Sequence, residues 1–259
     1  MSEEPQNTQK NTWEISSVRF TFFFEEAHAP DLILLFKACC ENDAESDSTD
    51  LQTNKRTVSG RHGEFQFSLT KTPERIDAAI AVNIQAVPLN EPLPFLLRID
   101  QGEQMILGMF EKIVKAFPVH KRIALGVIYH KRFSSNDDSY IELSRLLPSI
   151  KIDVGASSEL FYRINRPRTV EIGNIRYGIN RISNWAAIVS MKYVIDPGVS
   201  AAEKNVPQTT SLAYAVRLET DINTFPAADL TKVEPEQKVA LINCLYDFST
   251  EIAQEGDIS

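Results

Sequence analysis

The sequence predicts an α+β protein of two similar halves packed about a pseudo-twofold axis. Each half is read as a strand, a helix, a run of antiparallel strands and a second helix. Three observations carry this expectation. Apolar and polar residues alternate over several short segments, apolar stripes recur at helical spacing in two others, and the same order of elements occurs twice. The first plan covers residues 13–117 and the second 122–253, so the halves are placed at 12–118 and 119–254, with tails at 1–11 and 255–259.

Residues 1–11 carry almost no apolar side chain and are expected to be disordered. Trp13, Ile15, Val18, Phe20 and Phe22 then alternate as a half-buried strand that ends in Phe23 and Phe24. Pro30 and Asp31 stand where the first turn and cap of a helix belong, ahead of the run 32–40. Residues 41–56 are polar and acidic and read as a loop. Strands follow at 64–69 and 76–87, joined by a turn at Thr72-Pro73-Glu74, with a short strand at 95–99. Met105, Ile106, Met109, Phe110, Ile113, Val114 and Phe117 form a wide helical stripe. A methionine-bearing stripe can be a ligand surface, but it is more often core.

The second half repeats the order. A strand at 123–133 leads to a cap at 136–139 and a helix at 140–147 that Pro148 stops. Strands are read at 159–165, 172–179, 185–195 and 211–221, with a loop at 197–210. The last helix starts near Pro235, and Leu241, Leu245, Phe248 and Ile252 share its apolar stripe.

Composition narrows the classes. Apolar residues make up 43% of the chain and charged residues 24%, as in ordinary globular proteins. No apolar run is long enough to span a bilayer, so no membrane association is expected. The first residues lack the basic and apolar parts of a secretory signal, and Cys39, Cys40 and Cys244 are too few for a disulfide framework. A reducing, cytoplasmic setting is therefore expected, with Cys39 and Cys40 packed in or near the core. The net charge of −8 opposes any general coating of nucleic acid, though it permits a local basic groove.

No catalytic signature is found. The chain has no glycine-rich nucleotide loop and no G-x-S-x-G elbow. His28, His62, His120 and His130 do not pair with one another at ligand spacing and have no neighbouring cysteine, so no metal, cofactor or catalytic residue is expected. His28 follows Glu25 and Glu26 and reads as a turn histidine. His120 and His130 sit beside basic residues and read as strand-end or outward-facing groups. Cys244 lies on an amphipathic helix, which favours packing over a nucleophilic role.

One local anomaly is basic. Arg163, Arg166, Arg168, Arg176 and Arg181 fall close together in an acidic chain, accompanied by Asn165, Asn174 and Asn180. A hairpin around Pro167 would let several guanidinium groups share one sheet face and grip phosphate or carboxylate, with Tyr162 and Tyr177 offering stacking. The competing reading is a solvated strand face paired with Glu159 and Glu171.

Two resemblances bear on function. Residues 110–129, with Arg122-Ile123-Ala124-Leu125-Gly126-Val127-Ile128-Tyr129, and the strand Leu218-Glu219-Thr220-Asp221-Ile222 before the last helix resemble a sporadically distributed, uncharacterised prokaryotic family. In that family a helix leads to an RIGLRYINRI-like strand, and an LDID-like strand precedes the terminal helix; this chain departs from it at His130-Lys131-Arg132-Phe133. The resemblance implies an accessory role, such as a component of a defence or toxin system. The strands at 76–87 and 94–100 are similar to the sheet of SecB-type export chaperones, which implies a holdase.

The expectation is a non-enzymatic protein that binds a protein partner through exposed sheet edges or the groove between its halves. Alternatives are a nucleic-acid or phosphorylated-ligand binder using residues 163–181, a SecB-like holdase and a small-molecule sensor with its ligand between the halves. Homo-oligomerisation is compatible with each.

Overall fold

The computed structural model describes residues 12–25, 30–88, 91–117, 120–194, 208–226 and 228–257. The expected N-terminal tail, His28 and most of the loop at 197–210 lie outside the described residues. Among the described residues the fold is mixed α and β, an antiparallel sheet with four helices.

The strands are β1 (Glu14–Phe23), β2 (Ser46–Asp50), β3 (Lys55–His62), β4 (Phe65–Lys71), β5 (Arg75–Val82), β6 (Leu97–Arg98), β7 (Arg122–Phe133), β8 (Phe161–Asn165), β9 (Arg168–Ile172), β10 (Ile175–Val194) and β11 (Gln208–Thr224). The helices are α1 (Leu32–Cys40), α2 (Glu103–Ala116), α3 (Asn136–Leu146) and α4 (Pro235–Glu255). All eleven strands join one sheet in the order β2-β3-β4-β5-β1-β7-β11-β10-β8, with β6 beside β1 and β9 beside β10. The centre is the antiparallel pair β1 and β7, which brings Val18 opposite Val127 and Phe20 opposite Leu125.

Strand periodicity divides the sheet into two faces. Ile15, Val18, Phe20, Phe22, Ile123, Leu125, Val127 and Tyr129 are buried on one of them. The helices cover this face. Phe36 of α1 meets Phe67, and Phe110 of α2 lies 3.9 Å from Phe20 between ring centroids. Lys131 of β7 is paired at 2.7 Å with Glu142 of α3, and Tyr129 shares a 2.8 Å hydrogen bond with Ser249 of α4. The methionine-bearing stripe is core: Ile106, Met109, Phe110, Ile113 and Val114 are buried.

Local chemistry sets the ends of the helices. Asp31 Oδ1 accepts from the backbone N–H groups of Ile33 and Leu34, the N-cap its position predicts. Ser135 rather than 136–139 caps α3, its hydroxyl accepting from the Asp138 N–H while the Asp138 carboxylate accepts from Ser134 and Ser135. Pro235 opens α4 at the position where its missing N–H costs no helix bond.

Several boundaries differ from the sequence reading. The loop expected at 41–56 contains β2 and the start of β3; every β2 residue is exposed, so no alternation betrays it. An Asp47–Arg56 fork and an Asp50 carboxylate that accepts from Gln52 and Thr53 hold this edge hairpin. The strand expected at 76–87 ends at Val82, because Asn83 caps a short 3-10 turn over Ile84–Ala86. The strands expected at 172–179 and 185–195 are one strand, β10, whose hydrogen bonding continues through Asn180 and Asn184.

Candidate binding face

The sheet face opposite the helices carries the odd-numbered residues of β1 from Ser17 onward, those of β5, and the even-numbered residues of β7 and β10. Residues 91–96 cross one end of it. Arg132 donates to Glu14, Glu91 and the Leu93 carbonyl, and Ser190 donates to the Pro92 carbonyl at 2.6 Å. The middle is open. There a groove of about 390 Å³ runs over the β1–β7 junction, lined by Ser17, Arg19 and Ala79 from one side and by Gly126, Ile128, Asn184, Glu219 and Asp221 from the other.

Arg19 is the only cation in that lining, and it is exposed. Its guanidinium lies across Gly126: a Cβ at Gly126 would stand 3.6 Å from Nη2 and 3.8 Å from Nε. Among the described residues Arg19 has no ion pair, hydrogen bond or aromatic partner. Across β7, Gly126 is opposite Asp221 of β11. That carboxylate is held from the side by a relay of amides. Asn165 Nδ2 donates to Asn180 Oδ1 (2.9 Å), Asn180 Nδ2 to Asn223 Oδ1 (3.0 Å), and Asn223 Nδ2 to Asp221 Oδ1 (2.9 Å). Glu219 is paired with Arg217. Asn184 Oδ1 is buried at the groove and makes no hydrogen bond among the described residues.

The arginine block is arranged differently from the hairpin expected around Pro167. Arg166 and Pro167 interrupt an edge strand whose register with β10 is unbroken, Asn165 facing Ile182 and Arg168 facing Ile179. Pro167 is tolerated because it lies on an edge, where its lack of an N–H removes no ladder bond on the outer side. The turn falls at Gly173, whose φ is +62°. The five guanidinium groups therefore do not share a face. Arg166, Arg168 and Arg181 lie on the helix-covered side, with Tyr162 and Tyr177, and Arg163 and Arg176 lie on the other.

The three covered arginines are engaged by carboxylates at the end of α4. Arg166 forms a two-pronged pair with Asp257, which also accepts from Tyr162 and Ser149. Arg168 and Arg181 both meet Glu251, at 3.1 and 3.3 Å, and both guanidinium groups lie over the Phe248 ring. Arg181 is 1% exposed; burial lowers its pKa, and the Glu251 charge offsets part of that. Arg176 meets Glu171 at 3.6 Å on the exposed side. Burial raises the pKa of Asp257, but the Arg166 hydrogen bonds and charge outweigh it and hold the carboxyl below its usual range. Asp257 is buried and belongs to this network, so the tail expected at 255–259 is in fact anchored through that residue.

The histidines also depart from expectation. His120 and His130 are buried, at 0% and 7% exposure, rather than outward-facing. His120 Nδ1–H donates to the Phe117 carbonyl, and its ring packs edge-on against Phe22. Burial, with Lys238 nearby, lowers its pKa to about 3, while burial beside Arg217 and Arg132 lowers that of His130 to about 4. Cys39 and Cys40 are buried, as expected.

Arg19 and Asp257 escaped the sequence reading. Arg19 occupies an outward position of a strand recognised from its inward residues, and Gly126 does the same on β7. Asp257 carries no sequence signal, since only the length of α4 brings it back beside β8. No family model matches the chain, and no curated protein matches it at a significant level. Among the described residues no helix is long and apolar enough to cross a membrane.

Proposed function

We propose that this protein is a non-enzymatic interaction component that binds one protein partner on the helix-free face, at the junction of two related halves. The observation that carries this reading is Arg19, an exposed guanidinium in the groove between β1 and β7 that is unengaged among the described residues. Arg166, Arg168 and Arg181, by contrast, each reach a carboxylate of the chain.

The strand order supports the two-half reading, with boundaries at 12–118 and 119–254. In the first half the opening strand β1 lies beside the last long strand, β5. In the second half β7 lies beside β11, and β1 and β7 then pair antiparallel. A twofold relation between the halves accounts for this arrangement, and it makes the groove a junction between them. The resemblance to the sporadic prokaryotic family favours an accessory or immunity-like role in a defence or toxin system.

Two alternatives receive less support. Nucleic-acid or phosphate binding by Arg163–Arg181 would have to displace Asp257 and Glu251 from three of the five arginines. A SecB-like holdase needs an extended apolar surface, whereas the outward rows here carry Ser17, Arg19, Ser59, Ser68 and Asp221. The test is an affinity pull-down from the native host followed by mass spectrometry. A single stoichiometric protein supports the proposal; nucleic acid or a crowd of unfolded clients overturns it.

A further inference from the structure

The groove also has a charge order that selects a partner. We infer that it receives a short extended segment of the partner protein in which a carboxylate side chain reaches Arg19 and a basic side chain two residues away reaches Asp221. This rests on the protein-interaction reading and specifies the chemistry of its site.

Arg19 reaches from β1 over Gly126 of β7, and Asp221 stands on the next strand, so the guanidinium lies about one strand spacing, roughly 4.8 Å, from the β11 backbone. Residues i and i+2 of an extended chain project to the same side about 7 Å apart, and a long basic side chain spans the difference. Arg19, Gly126 and Asp221 form one row across these three strands, with the guanidinium lying over Gly126 and the carboxylate on the strand beyond it. A segment laid across the strands therefore meets opposite charges in sequence.

The floor permits that approach. Ser17, Ala79 and Gly126 are small, and the lack of a side chain at Gly126 gives the Arg19 guanidinium room to lie across β7. The amide relay through Asn165, Asn180 and Asn223 fixes Asp221 before any ligand arrives, which limits the ordering cost of binding.

A carboxylate is preferred to a phosphate for an electrostatic reason. Asp221 and Glu219 line the same groove, so a dianion is repelled where a single carboxylate can still form a two-pronged pair with Arg19.

The test titrates the full chain with defined peptides and follows the Gly126 amide and the Arg19 side chain by NMR. The probe is the acetylated, amidated peptide Ser-Lys-Ala-Glu-Ser. Controls are Ser-Glu-Ala-Glu-Ser, Ser-Lys-Ala-Lys-Ser and inorganic phosphate. Saturable shifts with the first peptide are expected, weakened at least about tenfold with either control peptide and in Arg19→Gln or Asp221→Asn. Equal shifts with phosphate, unchanged binding to Arg19→Gln, or no shift at millimolar peptide would overturn the inference. The host pull-down separates the two levels. A stoichiometric partner retained by Arg19→Gln leaves the interaction reading standing and removes this groove as its site. Capture of nucleic acid in place of any partner overturns the reading itself.

Discussion

Arg166 grips the carboxylate of Asp257 through two parallel hydrogen bonds, Nε to Oδ1 and Nη2 to Oδ2, each 3.0 Å long. The pair ties the edge of the sheet at β8 and β9 to the residues that follow α4, and Tyr162 and Ser149 complete the ring of donors around the same carboxylate. Asp257→Ala leaves these donors without their acceptor. A loss on the order of 2 kcal/mol is expected in urea unfolding, because a hydrogen-bonded charge is worth more than a neutral bond. Removing the last three residues should cost as much; a truncated chain as stable as the whole would contradict this anchoring role.

Gly256 carries a related expectation. Its φ is +89° with ψ of −159°, a region that glycine alone adopts readily, and a Cβ there would fall on the Leu146 carbonyl. Gly256→Ala should therefore lower the melting temperature by at least as much as Asp257→Ala. Gly126 behaves oppositely. Nothing crowds a Cβ there closer than ordinary contact, so Gly126→Ala should raise stability by about 0.5 kcal/mol through lost chain entropy while narrowing the groove floor.

Acid should destabilise the fold well above the carboxylate range. His120 titrates at about 3 in the folded protein, against an ordinary value of 6.5. Between those values the unfolded chain binds a proton that the folded one does not. Stability is thus full above about pH 6.5; below it His120 removes about 1.4 kcal/mol per pH unit, and His130, lowered to about 4, removes a similar amount until its own folded pKa is reached. Equilibrium unfolding from pH 7 to pH 4 should show the sum of the two slopes, and His120→Gln should about halve it.

The thiols should be inert in the native state. Burial raises Cys39 to about 12 and Cys40 to about 11, and burial with the Asp247 charge raises Cys244. A thiol reagent at pH 8 should label the folded protein slowly and all three cysteines at once on unfolding. Rapid native labelling of Cys39 would show that α1 opens from the sheet.

Much of this fold is legible where burial imposes a period. The inward residues of β1 and β7 and the stripes of α2 and α4 mark themselves, because one face of each must leave water. Legibility fails where burial is absent or two-sided. β2 is exposed throughout, and the joined edge strands β8 and β9 hide behind Pro167, a residue usually read as punctuation. The Gly173-Asn174 pair was the true hairpin signal, and Pro167 drew attention from it. The arginine block was visible as composition, but its charge partners Glu251 and Asp257 lie some 70 to 90 residues further along, beyond any local pattern. The groove over the β1–β7 junction has no signature in the sequence. Its key residue has none either, since a lone outward arginine on a strand looks like any solvated side chain.

The central claim is that the partner docks on the helix-free face at Arg19. The most direct measurement is a quantitative host pull-down with three forms of the protein: the wild type, Gly126→Val and Leu34→Asp. Valine suits a strand but places branched methyl groups under the Arg19 guanidinium, whereas Leu34 is 68% exposed on α1, on the opposite side of the sheet. With all three shown to be folded by their melting curves, the partner should be lost from Gly126→Val and retained by Leu34→Asp. Retention by Gly126→Val together with loss from Leu34→Asp would contradict the account and move the binding surface to the helices.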